Sequence, residues 1–222
     1  GVLGVSFQLK KKGEGQKLPI VLHMPGRFNV ENALVAIAIT SSLGVGIEVI
    51  QAALKKVLVK GRTQVLKDVN FSTFLIDYAH NAMSLESLLT TLKEYHPKRL
   101  VCVFGCGGNR SKTRRYEMGE VSGRLADFTI ITSDNPRFEE PQDIIDDIKI
   151  GMAKTDGAYT EICDRKEAIR YAINHGQSGD VIVLAGKGHE DYQEIKGVKY
   201  DMDERVLIAD ILRENKEQGI EV

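Results

Sequence analysis

Charged and amide side chains that could bind a small zwitterion follow several apolar segments of this 222-residue sequence. One group is Asp134-Asn135-Pro136-Arg137, in which a carboxylate, an amide and a guanidinium surround a proline. Pro136 fixes its own φ and restricts Asn135, so the three polar groups stay close together. Such a set suits a ligand that carries both an ammonium and a carboxylate, such as an amino acid. The alternative is an ordinary turn in which Asp134 caps the backbone.

A glycine-rich segment, Gly105 to Arg110, comes before a second group of candidate residues. A dinucleotide fingerprint would need glycine where Arg110 stands, and Ser111-Lys112-Thr113 lacks the glycine that ends a P-loop. What remains is a nest of backbone N–H groups before a helix N-terminus, which favours an anion. Arg110 adds a donor pair suited to a carboxylate. The alternative is that Arg110 is a solvated residue at the helix entry.

A third group, Gly186 to Glu190, has two glycines that would let a ligand approach the backbone closely. Glu190 could accept an ammonium, whereas His189 is better explained as a structural hydrogen-bonding residue. No pair of histidines or carboxylates has a metal-ligand spacing, and no serine or cysteine sits in a nucleophile elbow.

The elements around these groups predict an α/β fold. Apolar runs predict strands at Val2–Leu9, Leu18–Met24, Thr63–Val69, Phe71–Ile76, Leu100–Phe104, Phe128–Thr132, Tyr159–Ile162 and Val181–Ala185. Helical spacing predicts helices at Val30–Leu43, Ile47–Val59, Ser84–Tyr95, Lys112–Ala126, Pro141–Ala153, Arg165–His175 and Asp203–Glu214. From residue 63 the two types alternate, which is typical of a doubly wound, mainly parallel sheet. The three groups above, with Asp77 to Asn81, would then share the carboxyl edge of that sheet.

Composition separates two units and excludes several classes of protein. Residues 1–62 carry nine basic and three acidic side chains, whereas residues 63–222 carry 21 and 28. The net charge of −1 argues against a nucleic-acid binder. The longest apolar run, Ala33 to Ile39, is too short to cross a bilayer. Cys102, Cys106 and Cys163 form no CxxC pair, and this suits a reducing cytoplasm, with Cys102 and Cys163 expected to be buried.

Several segments together resemble the Mur ligases, in the order found in that family. They are Gly26 to Ala33, Asp77 to His80, Phe104 to Arg110, Asp134 to Arg137 and Gly186 to Gln193. The resemblance implies that residues 1–62 end the central ATP-binding domain and that residues 63–222 form the C-terminal Rossmann-like domain. The family's P-loop and carbamylated lysine lie upstream of the matching region. We therefore expect this chain to be a fragment that is inactive alone.

The resemblance also implies a reaction: an ATP-dependent ligase forms an acyl phosphate on UDP-N-acetylmuramoyl-L-alanyl-D-glutamate, and the amine of meso-diaminopimelate attacks it. The implied partners are these two substrates, and the implied cofactors are ATP and Mg²⁺, both held mainly by the missing upstream part. Arginine in the Asp-Asn-Pro-Arg segment implies diaminopimelate rather than lysine, because it can pair with the extra carboxylate. The amino-acid pocket would contain Arg110, Asp134, Asn135, Pro136, Arg137, Gly186 and Glu190. Asn32, Arg62, Asp77 and His80 would face ATP, although Asn81-Ala82-Met83 departs from the family's usual Thr-Pro-Asp.

Two other classes remain open at this stage. Folylpolyglutamate synthase shares the domain plan and a similar Asp77 to His80 loop, but would not be expected to carry both Asp134 to Arg137 and Gly186 to Glu190. A non-catalytic Rossmann-like binding module without an ATPase partner is the other class. A P-loop encoded upstream would favour the ligase.

Overall fold

The computed structural model describes residues 3–10, 13, 17–66, 69 and 72–220. The chain divides into two compact units, residues 1–59 and residues 60–222. The sequence predicted domain limits of 1–62 and 63–222, and these limits stay a prediction. Among the described residues, no helix combines the length and the apolar character that crossing a bilayer requires.

The first unit is a β-hairpin with two helices. Its described elements are β1 (Val5–Lys10), β2 (Lys17–Leu22), α1 (Arg27–Ser42) and α2 (Ile47–Lys56). The two strands pair antiparallel, and Ile20, Ile37 and Ile50 form the core between hairpin and helices. All four elements were predicted, but Val2 and positions 11, 12, 14 and 15 of the predicted turn lie outside the described residues.

The second unit is built on a six-stranded sheet. Its described elements are β3 (Gln64–Leu66), β4 (Thr73–Asp77), α3 (Ala82–Lys93), β5 (Arg99–Phe104), α4 (Lys112–Leu125), β6 (Phe128–Ile131), α5 (Pro141–Met152), β7 (Tyr159–Glu161), α6 (Arg165–Asn174), β8 (Asp180–Ala185), β9 (Tyr192–Ile195), β10 (Val198–Asp201) and α7 (Glu204–Glu217). The strand order is β3-β4-β8-β5-β6-β7, and only β3 runs antiparallel to its neighbour. The predicted doubly wound, mainly parallel α/β sheet is confirmed.

Helices cover both faces of this sheet because its strands are apolar on both sides. Val101 and Val103 of β5 belong to a core cluster with α6 and α7. Successive side chains of a strand point to opposite faces. Leu100, Cys102 and Phe104 therefore face the other layer, where α3 contacts β5.

The predicted helices of both units are present, with ends that shift by at most three residues. Two expectations were wrong. The alternation of strands and helices is interrupted by an antiparallel hairpin, β9–β10, and Cys163 is exposed rather than buried because it follows the edge strand β7. The predicted strands Thr63–Val69 and Phe71–Ile76 correspond to β3 and β4, and their residues 67, 68 and 71 lie outside the described part.

Candidate functional site

A cleft of about 360 Å³ lies at the carboxyl edge of the sheet, among the loops after β4, β5, β6 and β8. Its lining residues are Tyr78, His80, Gly105, Cys106, Gly107, Arg110, Arg114, Asp134, Asn135, Arg137, Gly186 and Glu190. Because these four strands run parallel, their carboxyl ends meet at one edge, as the sequence predicted. Six of the seven residues predicted for the amino-acid pocket therefore meet in one place, and Pro136 lies between two of them.

The loops after β5 and β6 are packed too closely for side chains. A Cβ on Gly108 would lie 1.9 Å from the carbonyl oxygen of Pro136, and one on Gly105 would lie 2.2 Å from that of Thr132. The N–H of Gly108 also donates to the carbonyl of Asn135 at 2.8 Å. The glycines of the Gly105 to Arg110 loop thus fix its distance from Asp134 and Arg137. Pro136 contributes its backbone to this contact.

A buried arginine also links these two loops. Arg115, in the first turn of α4, is 1% exposed, and its guanidinium reaches both carboxylate oxygens of Glu139 at 2.8 Å. It also contacts Asp147 of α5 at 2.9 Å. Glu139 accepts the backbone N–H of Asn109 as well. The hydrogen bond from Arg115 is the main reason that the pKa of Glu139 falls to about 2.

The loops after β6 and β8 are joined by a second buried arginine. Arg165 donates to the carbonyl of Ser133 at 3.2 Å and to that of Ala185 at 3.0 Å, and its charge is balanced by Glu204. Ser133 precedes Asp134 and Ala185 precedes Gly186. Arg165 therefore sets the spacing of the two strands at the point where the cleft begins.

Glu190 is held in the cleft by an amide and a buried cation. Its Oε2 accepts from Asn135 Nδ2 and from Lys187 Nζ, both at 2.9 Å. Burial acts to raise the pKa of Glu190, but Asn135 and the charge of Lys187 outweigh it and lower that pKa. Among the described residues, nothing donates to Oε1, so this oxygen is an open acceptor.

Asn135 is largely committed to holding other residues. Its Oδ1 accepts from Lys187 Nζ at 3.0 Å and from the backbone N–H of Glu194 at 2.9 Å. These two donors fix the orientation of the amide and point Nδ2 at Glu190. The predicted contact of Asn135 with an amino acid therefore involves at most its remaining Nδ2 hydrogen.

Asp134 and Gly186 form another wall of the cleft. Asp134 is 8% exposed, and its Oδ1 accepts the N–H of Asn135 at 2.6 Å. Gly186 has a φ of +107°, and a Cβ there would lie 2.9 Å from Oδ2 of Asp134. Only glycine tolerates both the conformation and the contact. Gly186 thus keeps open the space beside Oδ2, to which no described residue donates a hydrogen bond.

Arg137 enters the cleft with its guanidinium already oriented. Its Nε donates to Glu194 Oε2 at 3.1 Å, and its Nη1 donates to the carbonyl of Gly108 at 2.8 Å. Its backbone has a φ of +52°, which is uncommon outside glycine. β9 holds that backbone, because Arg137 N–H donates to the carbonyl of Glu194 at 3.0 Å.

An aromatic group borders the cleft next to the residues predicted to face ATP. The Tyr78 ring lies 4.7 Å from the His80 ring, and the Arg62 guanidinium lies 5.0 Å from the Tyr78 ring centre. His80 Nδ1 is 2.9 Å from the carbonyl of Tyr78, and because a carbonyl oxygen only accepts, Nδ1 is the donor in this hydrogen bond. Among the predicted ATP-facing residues, only His80 lines the cleft.

Asp77 has a structural role in the second unit, and Asn32 belongs to the first unit. Asp77 is buried, and its two oxygens accept the backbone N–H groups of Thr63 at 2.6 Å and Ala79 at 2.8 Å. Burial raises its pKa despite these donors. Asp77 therefore shapes the loop that carries Tyr78 and His80. Asn32 is exposed on α1 of the first unit.

Sequence reasoning did not single out four residues that matter here. Arg114 lines the cleft from the first turn of α4, whereas Arg110 precedes that helix, so helical spacing gave no signal for it. Lys187 is 0% exposed and was seen only as part of a glycine-rich loop. Glu194 and Gln193, whose Nε2 donates to Ser133 Oγ and to the carbonyl of Asp134, belong to the hairpin that was not predicted.

The arrangement fits a small ligand with several charges of both signs. Arg110, Arg114 and Arg137 supply cations around the cleft, while Asp134 and Glu190 supply anions. The described residues contain no group of three or more His, Cys, Asp or Glu placed to hold a metal ion. The fold and the site together define a class of protein: a doubly wound, Rossmann-like α/β domain with a charged cleft at the carboxyl edge of its sheet, the edge where such sheets bind ligands.

Comparison with known proteins gives the family. Residues 61–188 match the model of the Mur ligase glutamate ligase domain. The chain is 45% identical over 213 residues to a UDP-N-acetylmuramoyl-L-alanyl-D-glutamate–2,6-diaminopimelate ligase of Caldanaerobacter subterraneus, covering 96% of this chain and 44% of that relative. A solved structure of a ligase with that name superposes with a TM-score of 0.70 at 35% identity, over 95% of this chain and 43% of the other. This chain belongs to the Mur ligase family, and it spans less than half the length of these relatives.

The folylpolyglutamate synthase alternative is a more distant relation. The synthase from Thermotoga maritima superposes with a TM-score of 0.61 at 25% identity and covers 77% of this chain. Both similarity and coverage are lower than for the diaminopimelate ligases. The shared fold explains why the Asp77 to His80 loop alone did not separate the two classes.

Proposed function

We propose that this chain is the part of an ATP-dependent amide ligase that binds meso-diaminopimelate, for addition to UDP-N-acetylmuramoyl-L-alanyl-D-glutamate in peptidoglycan synthesis. The observation that carries the proposal is the meeting of Arg137, Asp134 and Glu190 in one cleft. The names of the relatives point the same way. All of these relatives extend well beyond this chain, so the reaction belongs to the longer enzyme.

The cleft offers partners for three of the four charged groups of diaminopimelate, and the fourth is the amine that reacts. The ligand has an ammonium and a carboxylate at each end, whereas lysine lacks one of the carboxylates. Glu190 Oε1 and Asp134 Oδ2 are open acceptors for an ammonium, and Arg137 offers donors to the neighbouring carboxylate. Arg110 and Arg114, which also line the cleft, are left for the carboxylate at the reacting end.

In the longer enzyme, ATP with Mg²⁺ supplies the activation of the dipeptide carboxylate as an acyl phosphate. This chain's task is to present the attacking amine and to exclude competing ligands. We assign Arg62 and His80 to the ATP side, with Asp77 fixing the backbone next to both of them and Asn32 belonging to the first unit. We place this chemistry in the cytoplasm, where the free Cys102, Cys106 and Cys163 stay reduced.

Lysine should bind more weakly than diaminopimelate. The difference in affinity should be smaller than in a site where the missing ligand group leaves a hydrogen-bond donor without a partner. Sites built for a polar group reject analogues that lack it by up to roughly 10⁴–10⁵. Arg137 already has Glu194 and Gly108 as partners, so it is not stranded when lysine binds. One lost charged hydrogen bond corresponds to about 10- to 100-fold in affinity.

Calorimetric titration of the chain with meso-diaminopimelate and with L-lysine tests this proposal. We expect saturable binding of diaminopimelate and a Kd for lysine about 10- to 100-fold higher. Tighter binding of lysine would overturn the assignment of the ligand. Binding without ligase turnover in a full-length enzyme that contains this segment would favour the non-catalytic binding module instead.

A further inference from the structure

Glu194 is the residue on which the contacts of Arg137 converge. Its carboxylate accepts from Arg137 Nε, its carbonyl accepts from the Arg137 N–H, and its own N–H donates to Asn135 Oδ1. One residue of β9 therefore contacts two neighbouring residues of the cleft through both its backbone and its side chain. The Lys196 N–H closes the arrangement by donating to the Arg137 carbonyl at 2.6 Å.

We propose that Glu194 is the positioning residue for the Arg137 guanidinium and thereby for recognition of the ligand's distal carboxylate. The inference rests on the proposed function. It does not make Glu194 a ligand contact, because Glu194 does not line the cleft. Its role is to select which nitrogens of Arg137 remain available.

The hydrogen bonds of Arg137 show which of its N–H groups remain available to a ligand. A guanidinium has five N–H groups. Glu194 takes the one on Nε, and the Gly108 carbonyl takes one on Nη1, so three N–H groups on Nη1 and Nη2 are left within the described structure. Gly107 leaves room for this orientation, because a Cβ there would lie 2.7 Å from Nη1. The guanidinium is thus held through Nε and one Nη1 hydrogen, and its other N–H groups can donate to a ligand.

The charge of Glu194 argues against a direct role in attraction. A carboxylate beside Arg137 repels a second carboxylate and offsets part of the cation. Orientation, through an acceptor at Nε, is therefore the benefit that Glu194 gives. An uncharged acceptor should do as well, so Glu194→Gln should rescue what Glu194→Ala loses.

The test uses a full-length ligase that contains this segment, with Glu194→Ala and Glu194→Gln. We expect Glu194→Ala to raise the KM for meso-diaminopimelate roughly three- to tenfold with kcat little changed, an effect between those of an exposed ion pair and a charged hydrogen bond. Glu194→Gln should keep a KM within about twofold of wild type, because an amide oxygen still accepts from Nε. The matched control is Glu120→Ala, which removes another ion pair of 3.1 Å, with Lys154, outside the cleft.

Two further measurements separate orientation from general damage. Affinity for L-lysine, which lacks the distal carboxylate, should be unchanged in Glu194→Ala. In an Arg137→Ala background, Glu194→Ala should have no further effect on the KM for diaminopimelate, because coupled residues are not additive. An additive effect, a loss of lysine affinity or failure of Glu194→Gln to rescue would each overturn the positioning role. Failure of the wild type to use diaminopimelate would instead overturn the proposed function.

Discussion

Glu190 pairs with the ammonium of Lys187 and, by our proposal, also with the ammonium of the ligand. Lys187 has no exposed surface, and its ammonium is balanced by Glu190 at 2.9 Å and contacted by Asn135. Its Nζ also lies 5.5 Å from the Tyr192 ring centre. A substitution at Glu190 therefore changes the stability of the protein as well as ligand binding, and the two effects need separate variants.

We expect Glu190→Gln to weaken diaminopimelate binding and to lower the free energy of unfolding by about 3 kcal/mol, the low end for a buried ion pair that loses one partner. The double variant Lys187→Met/Glu190→Gln removes the stranded cation and should recover most of that stability. It should not recover ligand affinity, since the negative charge that would balance the ligand ammonium is still absent. Urea denaturation and calorimetric titration measure the two quantities. Recovery of both together would show that Glu190 acts only through folding.

Glu139 should make the stability of the folded protein depend on pH in the acidic range. Its pKa falls from an ordinary value of 4.5 to about 2, first because of the hydrogen bond from Arg115. A carboxyl whose pKa is lower in the folded state stabilises it above the unfolded value, and this contribution disappears as the pH falls through the folded value. The stabilising effect is thus complete above about pH 4.5 and is lost towards pH 2.

Glu139→Gln should therefore destabilise the protein most at neutral pH. We expect the difference in unfolding free energy between wild type and Glu139→Gln to shrink steadily from pH 5 to pH 2.5, when measured by urea denaturation. Glu86→Gln is the control, because Glu86 pairs with Arg124 where both side chains are about half exposed. Exposed pairs contribute little. A difference for Glu139→Gln that stays constant over this range would contradict the link to Arg115.

At the scale of elements, the distance between the loops after β5 and β6 depends on the absence of a side chain at Gly108. Gly108→Ala would place a Cβ 1.9 Å from the Pro136 carbonyl, so one loop must move. We expect a loss of about 1–3 kcal/mol of stability, as for other overpacked sites, with a clear loss of diaminopimelate affinity. Gly46→Ala is the control, since its Cβ would meet nothing closer than 3.5 Å. Unchanged affinity in Gly108→Ala would show that the loop spacing does not matter for the ligand.

The sheet could be predicted from sequence because its strands are apolar on both faces, as in Leu100 to Phe104 and Val181 to Ala185. The hairpin could not be found in this way, because β9 is only half buried and β10 is exposed throughout. The signal that was present is local: Lys196-Gly197, both with positive φ, joins Ile195 to Val198 as a two-residue turn. Missing this hairpin also meant missing Glu194.

The site residues were predicted by type and by resemblance, but not by their contacts. Asp134, Arg137 and Glu190 meet as expected because parallel strands bring their loops to one edge. The commitment of Asn135 to Lys187 and Glu190 could not be foreseen, because its partners lie more than 50 positions away in sequence. Long-range hydrogen bonds of this kind leave no periodic pattern.

At the scale of the whole molecule, the boundary between the two units can be tested by truncation. Residues before β3 are tied to the second unit: Gly61 has a φ of +71°, a Cβ there would lie 2.1 Å from the His189 nitrogen, and Lys60 pairs with Asp203 at 3.6 Å. The second unit also has its own core between the sheet and α6 and α7. We therefore expect residues 60–222 to fold alone and to bind diaminopimelate with the affinity of the whole chain.

A chain starting at residue 63 should be less stable than one starting at residue 60. It lacks the close packing of Gly61 on the loop that carries Glu190, and it lacks the Lys60 ion pair. Thermal unfolding followed by circular dichroism, with titration of both chains, measures the difference. Equal melting temperatures would support the boundary predicted from sequence, after residue 62.

The position of β8 in the sheet has a consequence for biosynthesis. β8 lies between β4 and β5, with Val181 paired to Thr73 on one side and to Leu100 on the other. During synthesis, both flanking strands therefore leave the ribosome well before β8, the strand that joins them. The same holds for β6 and β7. Until residues 180–185 emerge, β4 and β5 present unsatisfied apolar edges, the kind of exposure that makes nascent chains prone to aggregate and dependent on chaperones. The cleft takes its loops from both sides of β8, so it forms only when this late strand inserts, and its ligand can stabilise nothing earlier on the folding route.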